Sequence, residues 1–168
     1  SDVVIGANVG ANGNGITVDA GSTFSTPKNI VVGLSGTSNA FAVEYGSTAS
    51  SGGARLGVNA GATGNIAGVV EATWTMNGAV RVGDAGSGNF FIIIEGTTTL
   101  TEPGKNFYVG YAKGANDNIL DLIGPTAKLE VKATGADVVI SANAIGSGAN
   151  STGNVAALFG GATIDANR

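Results

Sequence analysis

The sequence predicts an all-β fold: a single-stranded parallel β-solenoid of about six coils of about 25 residues, each with three short strands. Three observations predict it. Landmark residues recur in fixed order, apolar columns line up when the periods are superposed, and the composition is poor in helix formers. Of 168 residues 29 are Gly and only 12% are charged, while Ala, Ser, Thr, Asn and Val supply much of the rest. Such a chain has little intrinsic reason to coil into helices. At 43% hydrophobic it has enough apolar matter for one continuous core, so residues 1–168 are read as one solenoid domain.

The first landmark is Gly-x-Thr, found at Gly21-Ser22-Thr23, Gly46-Ser47-Thr48, Glu71-Ala72-Thr73, Gly96-Thr97-Thr98, Gly124-Pro125-Thr126 and Gly161-Ala162-Thr163. Thr23, Thr48, Thr73 and Thr98 stand 25 residues apart. The second is an apolar residue followed by Gly: Ile5-Gly6, Val32-Gly33, Leu56-Gly57, Val82-Gly83 and Val109-Gly110, with Ile140-Ser141 as a degenerate sixth copy. The third is an Asn that opens each middle strand: Asn14, Asn39, Asn65, Asn89, Asn118 and Asn154.

Side chains in a strand alternate faces, so equivalent positions of stacked coils should share a face. Before the glycines stand Ile5, Val32, Leu56, Val82, Val109 and Ile140, and two residues earlier Val3, Ile30, Ala54, Val80, Phe107 and Val138. Both columns are apolar and are expected to point inward. The column between them, Val4, Val31, Arg55, Arg81, Tyr108 and Val139, admits arginine and is expected to point outward. Two residues after each Asn come Ile16, Phe41, Ala67, Phe91, Leu120 and Ala156, and four after it Val18, Val43, Val69, Ile93, Leu122 and Leu158. A third, less regular stretch contains Phe24, Trp74 and Ile164. Gly and Asn between the stretches tolerate the left-handed backbone of tight corners. The Asn column itself predicts a stacked amide ladder. A propeller blade needs roughly 40 residues, and a sandwich would not repeat its landmarks at this period. The handedness rule for parallel crossovers favours a right-handed coil.

Segments such as Val31-Val32-Gly33, Tyr108-Val109-Gly110, Asp19-Ala20-Gly21-Ser22-Thr23-Phe24 and Glu71-Ala72-Thr73-Trp74-Thr75 resemble the repeats of bacterial autotransporter passengers and PEP-CTERM-associated surface proteins, over nearly the whole chain. Those families are secreted or surface-held β-solenoids. The resemblance therefore implies an extracellular or cell-surface location, and it carries no shared catalytic residues. A start at Ser1 fits a mature chain whose signal segment has been removed. The last coil departs from the pattern, with Ser141 in place of Gly and a lengthened segment before Asn154.

Eight Lys plus Arg against twelve Asp plus Glu give no basic footprint for nucleic acid or anionic lipid. The longest apolar run, Phe90 to Ile94, is far short of the ~20 residues that cross a bilayer, so no membrane insertion is expected. The absence of Cys and His removes disulfides, thiolate nucleophiles, imidazole bases and the usual zinc ligands. No catalytic residue, metal or cofactor is assigned.

Asp19, Glu44, Glu71 and Glu95, roughly one per coil, have the look of the carboxylate grooves of solenoid polysaccharide-degrading enzymes. Solvated turn residues are the simpler reading. Asn116-Asp117-Asn118 offers calcium-type oxygens but lacks the repeat of calcium-binding rolls, and reads as a turn. Gly83 to Gly88 lacks the ending of a phosphate loop, and Asn150-Ser151-Thr152 is one sequon match in an Asn- and Ser-rich chain.

Two features point to assembly. In Phe90-Phe91-Ile92-Ile93-Ile94 both faces are apolar, so Phe90, Ile92 and Ile94 should form an outward lateral patch, facing either a partner or a covering loop. No capping segment is recognisable at either end, and open solenoid ends are templates for pairing. The leading expectation is a non-enzymatic structural subunit whose partners are copies of itself. The first coil, around Val3 and Ile5, would stack on the last coil of a neighbour, around Leu158 and Ile164, and build a filament. The alternative is an adhesin module that binds surface glycans through exposed residues such as Tyr45 or Tyr108. A polysaccharide-degrading enzyme stands third.

Overall fold

A computed structural model describes residues 1–140 and 151–166. Ser141 and the sequon residue Asn150 lie outside the described residues. Among the described residues all regular structure is β. The first coil contributes β1 (Val3–Ile5), β2 (Gly15–Val18) and β3 (Thr23–Ser25), and the second β4 (Asn29–Val32), β5 (Ala40–Glu44) and β6 (Thr48–Ser51). The third holds β7 (Gly53–Leu56), β8 (Ile66–Val70) and β9 (Thr73–Met76), and the fourth β10 (Val80–Val82), β11 (Phe90–Ile94) and β12 (Thr97–Leu100). β13 (Phe107–Val109), β14 (Ile119–Ile123) and β15 (Lys128–Val131) form the fifth, and β16 (Val138–Ile140), β17 (Val155–Phe159) and β18 (Thr163–Ala166) the sixth.

Every third strand pairs in parallel, giving three six-stranded sheets around one interior. This is the predicted β-solenoid with three strands per coil. Val32 pairs with Ile5 and Leu56, and Val82 with Leu56 and Val109, so the column before the glycines stacks as expected. In the second sheet Phe41, Ala67, Phe91 and Leu120 stack likewise. The outward assignment of the intervening column also holds. Val31 is buried, yet it does not belong to the core cluster that contains Ile30 and Val32.

Inside, aromatic rings pass from coil to coil. Phe24 meets Phe41 at 5.6 Å between centroids, Phe41 meets Trp74 at 4.8 Å, Trp74 stacks on Phe91 at 5.6 Å and Phe91 meets Phe107 at 5.2 Å. Each such contact contributes about 0.5–1.5 kcal/mol beyond the area it buries.

The Asn column forms the expected ladder, and the bonds have one direction. The backbone N–H and side-chain amide of Asn39 both donate to Asn65 Oδ1, at 3.0 and 3.1 Å. Asn65 donates in the same way to Asn89, Asn89 to Asn118, Asn118 to Asn154, and Asn14 to Asn39. Asn39, Asn65, Asn89 and Asn118 are fully buried. A buried amide must find partners or lose about 1–3 kcal/mol for each group left unpaired, and here each coil supplies them to the previous one.

The glycine column is the other half of the same device. Gly6, Gly33, Gly57, Gly83 and Gly110 have φ between 59° and 75°, and the amide of the next coil's Asn lies where their Cβ would be. Glycine is required there twice over, for its backbone and for its missing side chain.

One landmark is corrected. Thr97, not Thr98, occupies the column of Thr73, and Lys128 occupies it in the fifth coil where Thr126 was expected. The reason is corner length. From the left-handed residue that ends each middle strand, three residues lead to Thr23 and Thr48, but two lead from Glu71 to Thr73 and from Glu95 to Thr97. Thr98 therefore turns inward between Trp74 and Leu129, where its Oγ1 is the buried side-chain polar atom without a hydrogen-bond partner among the described residues. Thr98→Val keeps the shape and removes the orphan. It is expected to raise unfolding stability by about 1 kcal/mol, read as a higher urea midpoint at unchanged slope.

Candidate functional site

The axial ends are built by the edge strands of the three sheets, β1 to β3 on one side and β16 to β18 on the other. Leu158 continues the inward column of Leu122, its partner one coil earlier. Leu122, between Ile93 and Leu158, is 0% exposed, whereas Leu158, with Leu122 as its strand partner among the described residues, is 46% exposed. Ile140 of the same coil is also exposed, and Ala156 and Ile164 are half-buried against the core. At the opposite end Val3, Ile16 and Phe24 are half-buried, while Ile5 is already buried. Of the expected axial residues, Leu158 thus presents the most apolar surface and Ile5 the least.

The lateral patch is placed as expected on the outer face of the second sheet, with Phe90, Ile92 and Ile94 half-buried between the inward Phe91 and Ile93. The face is wider than one strand. Phe90 lies between Ile66 and Ile119, and Ile94 between Val70 and Ile123, with Val155 and Phe159 beyond, while Ile92 at the centre lies between Gly68 and Asp121. The column alignment alone places these residues on the same outer face as Phe90 and Ile94. The lengthened segment before Asn154, one candidate for the covering loop, lies largely outside the described residues.

The carboxylates do not form the single row the spacing suggested. Glu44 pairs with Val70, whereas Glu71 and Glu95 follow the middle strands as left-handed corner residues. Glu95 accepts from the backbone N–H and hydroxyl of Thr126 and is held below the ordinary glutamate range by those two bonds. Glu130, on the third sheet, is lowered to about 2 by Lys128 first and Lys132 second. Both acids are spent on bracing neighbouring segments. At the expected turn, Asn116 Oδ1 accepts from Thr152 and Asn118 belongs to the ladder. Among the described residues no group of three His, Cys, Asp or Glu is arranged to hold a metal ion.

The outer face of the first sheet carries a cluster that sequence reasoning missed. Arg55 and Arg81, paired on adjacent coils, both reach Asp84. Arg55 binds its Oδ2 through Nε at 2.6 Å and through Nη2, and Arg81 Nη1 lies 3.5 Å from its Oδ1. Asp84 is only 6% exposed, while about a third of each arginine side chain remains open. The Arg81 guanidinium lies 3.8 Å above the Tyr111 ring, and Tyr111 meets Tyr108 edge-on at 4.9 Å. Tyr108 in turn accepts from the Asn106 amide at 3.0 Å. A shallow depression beside the arginines is lined by Asn29, Arg55, Ala79 and Arg81.

Tyr45, the other aromatic named for surface binding, is exposed on a different corner, in the left-handed conformation. Comparison with protein-family models, curated proteins and solved structures finds no match to this chain.

Proposed function

We propose that this chain is an extracellular structural subunit that stacks head to tail into a filament. The observation that carries the reading is the exposed apolar interior of the last coil, with Leu158 open where Leu122 is sealed. Its β16, β17 and β18 are sheet edges, ready to pair with β1, β2 and β3 of another copy. The amide ladder supports the same junction. All its bonds run from one coil to the following one, and among the described residues no donor reaches Asn14 Oδ1. Asn14 Oδ1 is thus an acceptor open to a coil stacked on the first.

A head-to-tail contact does not close on itself, so its product is a fibre. The apolar outer face of the second sheet would then hold neighbouring fibres side by side, because many weak contacts along two fibres act together. A surface-held location accompanies the reading, on the resemblance of the repeats to passenger and surface-protein solenoids.

Negative-stain electron microscopy tests it. Concentrated protein is expected to show fibres about as wide as one coil, and Leu158→Asp is expected to leave discrete particles with an unchanged far-ultraviolet spectrum. Discrete monomers from the unaltered chain at high concentration would overturn the proposal.

A further inference from the structure

We propose that the Arg55–Arg81–Tyr111 cluster on the outer face of the first sheet is a binding site for a sugar bearing a single carboxylate, such as a uronic acid residue of a surface glycan. The charge count is the starting point. A bracing ion pair needs one cation for its anion, whereas here two guanidinium groups share one buried carboxylate, leaving a net positive charge on a chain whose overall charge is −4. Asp84 engages Nε and Nη2 of Arg55 and only Nη1 of Arg81, so donors of both forks remain for a second carboxylate.

The cluster is also pre-organised. Both arginines stand on central strands of a six-stranded sheet, Asp84 fixes them from below, and Tyr111 supports Arg81 from the next coil. Ligand binding then orders few groups that were free, which is the main saving available to a small site. The small Ala79 side chain leaves a shallow depression between Asn29 and the two arginines. Asn29 at the rim and Tyr108, paired with Arg81 on the next coil, flank the arginines, offering a polar group for hydroxyls and a ring for the apolar side of a pyranose.

Charge sets the limit on ligand size. Asp2 accepts from the backbone N–H and amide of Asn29 at 3.2 and 3.3 Å, so an anion already occupies the upper rim. The site therefore admits one carboxylate at the arginines and disfavours a continuous polyanion that would run on past Asp2. Sulfate esters and phosphates share the oxyanion chemistry, but the planar two-oxygen match to an arginine fork favours the carboxylate.

Calorimetric titration of the whole chain with a glucuronate-containing disaccharide, its methyl ester and a sulfated neutral counterpart tests the assignment, independently of whether the protein forms fibres. The acid is expected to bind at least about tenfold more tightly than the ester or the sulfated sugar, more weakly at higher salt. Arg81→Gln is expected to weaken it about tenfold or more and Arg81→Lys by a smaller factor, since lysine keeps the charge and loses the fork. Both side chains face outward, and thermal unfolding of each variant is measured alongside. No binding of the acid, equal binding of the ester, equal or tighter binding of the sulfated sugar, or full affinity in a folded Arg81→Gln variant would each overturn the proposal.

Discussion

Gly33→Ala is expected to destabilise the solenoid by about 3–5 kcal/mol, and Asn65→Ala to recover part of that loss when the two are combined. Gly33 has φ of 72°, a conformation that costs an alanine about 1–2 kcal/mol by itself. The larger effect is spatial. The new Cβ would overlap the Asn65 amide, which is fully buried and tied upward to Asn39 and downward to Asn89. That amide cannot step aside without breaking the ladder. Asn65→Ala alone leaves the Asn39 backbone N–H without its acceptor and takes one donor from Asn89 Oδ1, at a cost of about 2–4 kcal/mol. In the double variant the overlap is gone, so its cost should fall at least about 1 kcal/mol short of the sum of the singles. Urea unfolding followed by circular dichroism measures all four proteins of the cycle. Strict additivity would show that the glycine and asparagine columns are separate features.

That coupling marks the border of what the sequence discloses. The period and the apolar columns were legible because a solenoid repeats its environment, so each position is sampled six times and a single Ala or Thr does not hide the pattern. The Asn column was legible for the same reason. Its relation to the glycines was not, because Gly33 and Asn65 come together only when one coil is laid over the next, 32 residues later in the chain. Corner length defeated the Thr landmark. A corner of two residues and one of three look alike in sequence when another threonine happens to follow, as Thr98 follows Thr97. The arginine cluster escaped for a different reason. Arg55 and Arg81 served only to mark a column as outward, and Asp84 and Tyr111 stand just past the glycines, outside the columns that carry the period. Such a site depends on residues unique to one coil, which averaging over coils removes.

Trp74→Ala is expected to cost about 3–5 kcal/mol and also to split the cooperativity of unfolding. Trp74 is fully buried, it touches Phe41 and Phe91, and its Nε1–H donates to Ser51 Oγ at 3.0 Å. Its neighbours in the column are Ala49 above and Thr98 below, and Ala67 is the first of the two inward residues of the same coil's middle strand. One large ring thus fills the space that three small side chains leave. Those side chains cannot swell to close the hole, so the cavity term is added in full to the lost transfer energy. Trp74→Phe keeps an aromatic ring between Phe41 and Phe91 and gives up the bond to Ser51, whose hydroxyl still donates to the Gly53 carbonyl. About 1–2 kcal/mol is expected for it. The position in the stack decides the second effect. In a solenoid each coil contacts only its neighbours, and stability is close to a sum of coil and interface terms. Trp74 serves both interfaces of the third coil through Phe41 and Phe91, so its loss should let the first two coils unfold apart from the last three. The urea transition of Trp74→Ala is therefore expected to broaden, with a lower apparent slope than that of the unaltered chain. A transition that moves to lower urea with its slope intact would mean that the remaining columns couple the coils without the ring.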